Sequence, residues 1–262
     1  ILAEIKGVTL IPEINDNNEI VDVHEVYIRR TEKKLNSVVI MAGGKGTRLL
    51  PLTENIPKPM LYVGGKPILA RIIEKVIKDG FENIIISVGH LSNVIEKFID
   101  ESNYQANITF AREEKPLGTA GSLGQLDKAS INFPIIVTNG DILCECNLQN
   151  IIELAEKKGF EGVMLGKQEK FFIPFGVIDH EKGKWKGIKE KPTYTYLVNA
   201  GIYLISQNMI NLIEKNEYLD MPSLFERSLK NNINLGVEYT DQYWIDIGRH
   251  DTLKSAENYF SD

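Results

Sequence analysis

Arg48, Lys58, Asp141 and Asp246 are the side chains of this sequence whose types and settings could handle phosphates and a cation. The loop Gly43-Gly44-Lys45-Gly46-Thr47-Arg48 follows the apolar run Ser37-Val38-Val39-Ile40-Met41. Glycines let backbone N–H groups close on a ligand, and successive N–H groups make an anion-binding nest. Arg48 adds a planar fork of donors suited to phosphate. In Pro57-Lys58-Pro59-Met60 a lysine stands between two prolines, on a stiff backbone. Asn139-Gly140-Asp141 ends the apolar run Ile135–Thr138, and Trp244-Ile245-Asp246-Ile247-Gly248 offers a second carboxylate at a strand end. Two carboxylates far apart in sequence can meet at one sheet edge and hold one Mg2+. That ion takes one or two carboxylates beside phosphate oxygens and waters. Taken singly, each carboxylate also suits a turn or a helix cap, and the glycines alone also suit an ordinary turn.

The elements that must position these groups alternate. Strands are expected at Ser37–Met41, Ile84–Val88, Ile108–Ala111 and Ile135–Thr138. Helices are expected from Pro67 to Asp79-Gly80, around Val94–Ile99, after Gly118-Thr119, and over Leu148–Lys158. Such alternation predicts an α/β fold, with a mostly parallel twisted sheet, helices on both faces and ligands at the carboxyl ends of the strands. Beyond residue 160 the runs shorten. Gly162–Leu165, Gly176–Ile178, Trp185–Lys189 and Val198–Leu204 read as β-rich insertions walling a pocket over the sheet, with Trp185 packed inside. A helix near Pro222–Lys230, strands at Leu235–Tyr239 and Trp244–Asp246 and a last helix from Asp251 close the chain.

The loop is neither a P-loop nor a dinucleotide fingerprint, since Gly-Lys-Ser/Thr and Gly-x-Gly-x-x-Gly are both missing. From Gly43 through Leu49-Leu50-Pro51-Leu52-Thr53 to Pro57-Lys58-Pro59-Met60 it resembles the signature of the sugar-1-phosphate nucleotidylyltransferases. The resemblance runs from Ser37 to the C-terminus. It implies a Rossmann-like nucleotidyltransferase fold and a reaction between an NTP and a sugar-1-phosphate. It implies further that Ala42, Gly43, Gly44, Gly46 and Thr47 bind the nucleotide, that Arg48 and Lys58 handle its phosphates, and that Asp141 and Asp246 hold Mg2+. Glu114-Lys115-Pro116-Leu117-Gly118-Thr119-Ala120-Gly121 matches the segment that reads the base, through Gly118 and Thr119; Thr119 also suits a plain helix cap. Glu190-Lys191-Pro192, Asn199-Ala200-Gly201 and Phe175-Gly176-Val177 look like the sugar pocket, with Lys191 on the sugar's phosphate and Gly176, Glu190 and Asn199 on the sugar. Gly89-His90 follows the strand Ile84–Val88, where the family also approaches the base, but a lone histidine is weak evidence and His90 reads as having no such role.

The proline–lysine segment resembles guanylyl- and cytidylyltransferases more than thymidylyl enzymes. GTP with glucosamine- or mannose-1-phosphate is therefore the favoured pair, as in the glucosamine-1-phosphate guanylyltransferases of legionaminic acid synthesis and the mannose-1-phosphate guanylyltransferases. Thymidylyl, uridylyl or cytidylyl transfer to glucose-1-phosphate stays open, as does a non-catalytic nucleotide-sugar-binding subunit.

Composition bounds the rest. The chain has 262 residues and a net charge of -6, which argues against nucleic acid as the main partner. Cys144 and Cys146 lack the partners of a zinc site or a disulfide framework, and read as reduced thiols of a cytoplasmic protein. No apolar run has membrane-spanning length. No signal peptide and no hexapeptide-repeat tail are evident. Oligomeric state stays open between monomer and homo-oligomer. Residues 1–32 stand apart from the nucleotidyltransferase domain of residues 33–262. Val8–Ile14, the turn Asn15–Asn18 and Ile20–Val23 read as a hairpin, either similar to the closing hairpin of a CBS domain or an N-terminal extension that adds a hairpin to the main domain, and Arg29–Lys34 as a charged linker. The start at Ile1 looks like that of a fragment.

Overall fold

The computed structural model describes residues 4–5, 8–15, 20–27 and 34–261. Its contacts fall into two units, Ile1–Lys33 and Lys34–Asp262. In the first, β1 (Glu4–Ile5), β2 (Val8–Ile14) and β3 (Ile20–Tyr27) form an antiparallel sheet in that order. β2 and β3 are the expected pair. The turn expected between them falls mostly at 16–19, and the linker mostly at 28–33, outside the described residues.

The second unit opens with β4 (Lys34–Met41), which leads into the glycine loop. A small ribbon of β5 (Tyr62–Val63) and β6 (Lys66–Pro67) precedes α1 (Ile68–Lys78). Next come β7 (Phe81–Val88), α2 (Ser92–Asp100), β8 (Asn107–Arg112) and the single turn α3 (Gly118–Gly121). β9 (Ile135–Asn139), β10 (Ile142–Cys144) and α4 (Leu148–Lys158) follow. β11 (Gly162–Phe172), β12 (Val177–Glu181), β13 (Lys184–Lys189) and β14 (Thr193–Ile205) make the β-rich part. α5 (Gln207–Ile210), α6 (Met221–Lys230), β15 (Leu235–Thr240), β16 (Trp244–Asp246) and α7 (His250–Phe260) complete the chain.

Seven strands form the central sheet in the order β15-β11-β14-β9-β4-β7-β8. β14 pairs antiparallel with both neighbours and every other pairing is parallel. Successive strand residues face opposite sides of a sheet. Val38, Ile40, Ile84, Ile86 and Ile136 therefore enter one core with Ile68, Ile73, Ile95 and Ile151 of the helices. Val39, Ile85, Ile135 and Val137 enter the other with Met221, Leu224 and Phe225 of α6. Both faces are covered, which is why these strands read as unbroken apolar runs. α1 buries Ile68, Leu69, Ile72, Ile73 and Val76, at ~1.5–3 kcal/mol per large side chain.

Two expectations need correction. Gly162–Leu165 and the second half of β14 are central-sheet strands, not insertions; Val163, Leu165, Ala200, Ile202 and Leu204 are buried. Only their far halves, Gln168–Phe172 against Thr193–Leu197, project as an arm, beside the separate β12–β13 hairpin. Trp185 lies on that hairpin and is 66% exposed, so it does not pack. Among the described residues no helix is long and apolar enough to cross a membrane.

Candidate active site

The glycine loop begins where the sheet opens. Ala42 N–H donates to Ser87 O on β7, and Gly140 N–H donates to Met41 O, each at 2.8 Å. A Cβ on Gly140 would sit 2.7 Å from Met41 O, so glycine is required at this crossing. Gly46 takes a φ of 64°, and Thr53 Oγ1 donates to its carbonyl at 2.8 Å. Leu49 N–H donates to the same carbonyl at 3.0 Å, closing Thr47–Leu49 into a 3-10 turn, with Leu49 buried beneath and Arg48 exposed above.

Asp141 and Asp246 are brought together by a ribbon. β10 pairs antiparallel with β16, setting Ile142 opposite Asp246 and Cys144 opposite Trp244. Ile247 N–H donates to Asp141 O at 2.9 Å, and Trp244 Nε1 donates to Ala200 O at 2.8 Å, pinning the ribbon to β14. Lys58, its side chain only 9% exposed, donates from Nζ to Asp141 Oδ2. Asp246 Oδ1 is buried without a hydrogen-bond partner. Burial, and then the charge of Asp141, hold the Asp246 carboxyl above its ordinary range, against the opposing charges of Lys58, Arg48 and Arg249. A Cβ on Gly248 would lie 3.0 Å from Asp246 Oδ1 and 3.2 Å from Arg48 Nη1. The missing side chain leaves that space to the guanidinium and the carboxylate. Two crowded carboxylates, one with an orphaned buried oxygen, fit a divalent cation that keeps sites open for phosphate and water. Among the described residues no larger cluster of metal-ligating side chains occurs.

The opposite wall is Leu117–Gly121. Ala120 and Gly121 N–H both donate to Leu219 O at 3.0 Å, and Leu219 N–H donates to Leu117 O at 2.9 Å. Gly118 has a φ of 79°, and a Cβ there would meet Leu219 O at 2.5 Å. Thr119 does not cap its own helix. Its Oγ1 accepts Met221 N–H at 2.9 Å, at the start of α6. Glu113 follows β8 directly; its Oε1 accepts from Ser87 Oγ at 2.8 Å and its Oε2 from Leu117 N–H at 3.4 Å.

Between these walls lies a cleft of about 460 Å³. Ala42, Gly43, Gly44, Gly46, Thr47, Arg48, Lys58, Gly118, Thr119, Asp141 and Asp246 all line it. Glu113, Asn139, Tyr218 and Gly248 line it too, and sequence reasoning missed them as site residues. A signal existed for Glu113, because it follows a parallel strand just as Ala42 and Gly140 do. Tyr218 carried none. The expected sugar residues are not in this lining. Lys191, at a φ of 43°, Glu190 and Gly176 cluster at the arm, where Glu190 Oε2 lies 2.9 Å from a Cβ placed on Gly176. Asn199 is turned inward on its own strand: its Nδ2 donates to the Tyr203 hydroxyl at 2.8 Å and its Oδ1 accepts Gly201 N–H at 2.9 Å.

Comparison with known proteins gives the lineage. The model of a family described as nucleotidyl transferase matches residues 37–262. The chain belongs to the nucleotidyl transferase family. Mannose-1-phosphate guanyltransferase of Pichia angusta is 33% identical over 224 residues, covering 80% of this chain and 60% of that protein. The Saccharomyces cerevisiae protein of the same name is 30% identical over 224 residues, covering 80% and 61%. The chain thus spans about 60% of the length of these relatives. Among solved structures, HddC from Yersinia pseudotuberculosis, crystallised with GMP-PN, is 28% identical, with a TM-score of 0.67 over 86% of this chain and 99% of that one. UDP-glucose pyrophosphorylase from Acinetobacter baumanii shares the fold at 16% identity and a TM-score of 0.69, over 87% of this chain and 93% of that one. As a nucleotidyl transferase family member, the chain carries its glycine loop, both carboxylates, Arg48 and Lys58 inside the matched region.

Proposed function

We propose that this chain transfers a guanylyl group from GTP to a hexose-1-phosphate, glucosamine- or mannose-1-phosphate, releasing pyrophosphate and forming a GDP-sugar. The observation that carries the reading is the delivery of Asp141 and Asp246 by one ribbon to the cleft floored by the glycine loop, Arg48 and Lys58. A sugar-phosphate oxygen attacks the α-phosphorus in line, and the pyrophosphate departs on the far side. Such transfer needs positioning and charge neutralisation more than covalent help. The loop N–H groups of Gly43 to Thr47 and the Arg48 guanidinium hold the departing pyrophosphate. Lys58 neutralises the α-phosphate. Asp141 and Asp246 would hold Mg2+, which when bound neutralises phosphate oxygens. Lys191 takes the sugar's phosphate, Gly176 and Glu190 meet the sugar once substrate draws the arm over the cleft, and Asn199 turns from Tyr203 and Gly201 toward the sugar.

Glu113 supports the choice of base. Its carboxylate has acceptor sites left beyond Ser87 and Leu117, and guanine offers an imino and an amino donor on one edge. The guanyltransferase relatives and the guanine nucleotide held by HddC favour the same base. The reading places the reaction in the cytoplasm, where nucleoside triphosphates are made. It also takes Ile1–Lys33 as the end of a CBS module, tested by whether adenine nucleotides bind a longer chain that contains the whole module.

The test is pyrophosphate release with Mg2+, crossing GTP, CTP, UTP, ATP and dTTP with glucosamine-, mannose-, glucose- and N-acetylglucosamine-1-phosphate. GTP with one amino-hexose or mannose phosphate should stand out. Preference for another nucleotide overturns the base assignment. Silence across the grid from folded protein turns the reading toward a nucleotide-sugar-binding subunit.

A further inference from the structure

Cys144 and Cys146 take no part in the transfer, yet they are arranged for chemistry of their own. Cys146 N–H donates to Cys144 Sγ at 3.3 Å. The Cys144 sulfur is therefore folded back against the Cys146 backbone, with Glu145 between the two in the chain. Their settings differ. Cys146 is 7% exposed, whereas Cys144 is half-buried and opens on a second cavity of about 210 Å³. That cavity has an apolar floor of Ile142, Leu148 and Ile202 and a rim that includes Lys75 and Arg71. Lys75 is fixed there by donating to Cys146 O at 2.7 Å.

We propose that Cys144 and Cys146 are a hydroperoxide-reactive pair, Cys144 the attacking thiolate and Cys146 the resolving thiol. Cys144 Sγ attacks the outer peroxide oxygen; the S–O bond forms, the O–O bond breaks, and the alkoxide (or hydroxide) leaves and takes up a proton. Cys146 Sγ then attacks the sulfenic sulfur. The S–S bond forms, and hydroxide leaves with the thiol proton as water. The two thiols lose two electrons, and the peroxide is reduced to alcohol and water. The polarity of the pair agrees with this order. The neighbouring Cys146 thiol holds the Cys144 thiol below its usual range, against burial and with help from the Cys146 N–H and the charges of Lys75 and Lys167. Cys146 is pushed up by its neighbour Cys144, by burial and by the charges of Cys144 and Asp79, against that of Lys75. An accessible thiolate beside a resolving thiol is the setting of peroxide-sensitive cysteines. This inference does not rest on the nucleotidyl transfer.

The test uses the intact chain, whose only cysteines are these two. Purified protein is treated with hydrogen peroxide at neutral pH, and thiol products are followed by mass spectrometry of non-reduced peptides. The folded chain should form an internal 144–146 disulfide, about 2 Da lighter and reversed by dithiothreitol, at least ~10-fold faster than the same chain in urea. Cys146→Ala should accumulate a dimedone-trappable sulfenic acid on Cys144, while Cys144→Ala should leave Cys146 unoxidised. Oxidation no faster than in urea, first attack at Cys146, or disulfides only between molecules would each overturn the proposal.

Discussion

Asp246 stands opposite Ile142, the residue after Asp141, in the three-residue ladder of β10 and β16. The two residues are thus brought together by backbone bonds, and Lys58 additionally holds the Asp141 carboxylate. Replacing either should leave the ribbon in place. Asp141→Asn and Asp246→Asn should each lower pyrophosphate release by about 100-fold or more, the scale of losing one preorganised charge at a transferring phosphoryl group. Circular dichroism spectra should match the parent chain. An Asp141→Asn protein with full turnover would remove that carboxylate from the metal assignment.

Stability should carry the mark of the same pair. Burial first, then the Asp141 charge, raises the Asp246 carboxyl. A carboxyl raised in the folded chain favours folding while protonated. That contribution is whole below the unfolded value of about 4 and is lost as pH rises through the folded value. Metal-free protein should therefore lose stability on going from about pH 4 to neutrality relative to Asp246→Asn, in which the site no longer titrates. Urea midpoints of both proteins across that range decide it; parallel curves would show that Asp246 is not strained by its neighbour.

This part of the site was only half legible in the sequence. Strands β4, β7 and β9 are buried on both faces, and burial of that kind writes an unbroken apolar run. The strand-end placement of Asp141 followed from it. The ribbon did not, because its two strands have three residues each and lie about a hundred positions apart, with no local pattern to announce the pairing. The arm misled for a related reason. β11 and β14 each begin or end inside the sheet and continue beyond it, and one strand pattern covers both halves. Trp185 looked like core because of its size, but the β12–β13 hairpin pairs only with itself. Thr119 was legible as a cap, though not as the cap of a helix a hundred residues away.

Gly248 has a different duty from the glycines of the loop. Its backbone is ordinary, and what matters is the space a side chain would take between Asp246 Oδ1 and Arg48 Nη1. Gly248→Ala should push the guanidinium aside by a few tenths of an ångström. The expected result is a fall in kcat of roughly 10-fold, about 1.4 kcal/mol of transition-state stabilisation, with thermal stability nearly unchanged. Unaltered kcat would mean that Arg48 does not act from this position.

Glu113 tests the base assignment. In Glu113→Gln one acceptor oxygen becomes a donor, which suits uracil or thymine better than the donor edge of guanine. Preference for GTP over UTP, measured as a ratio of kcat/KM, should fall by about 5- to 150-fold, the range for one polar pairing of about 1–3 kcal/mol. An unchanged ratio would move base reading to the backbone of Leu117–Gly121 alone.

The segment that backs the Leu117–Gly121 wall is braced by a forked ion pair. Arg227 forks onto Glu217, Nη1 to Oε2 at 2.8 Å and Nη2 to Oε1 at 2.5 Å, and its Nη1 also reaches Leu212 O at 2.8 Å. Glu217 precedes Tyr218 and Leu219, and Leu219 O receives the N–H groups of Ala120 and Gly121. Arg227→Met should therefore loosen the base wall without touching the phosphates. KM for the nucleotide should rise several-fold while kcat stays near the parent value, because ground-state and transition-state binding weaken together. The fork, with the Glu214 N–H, also holds the Glu217 carboxyl down at about 2. A depressed carboxyl contributes stability above its unfolded value and loses it as pH falls toward the folded one, so the difference between parent and Arg227→Met should shrink between about pH 4.5 and 2. A variant with lowered kcat and unchanged KM would place the segment in the chemical step instead of the binding of the base.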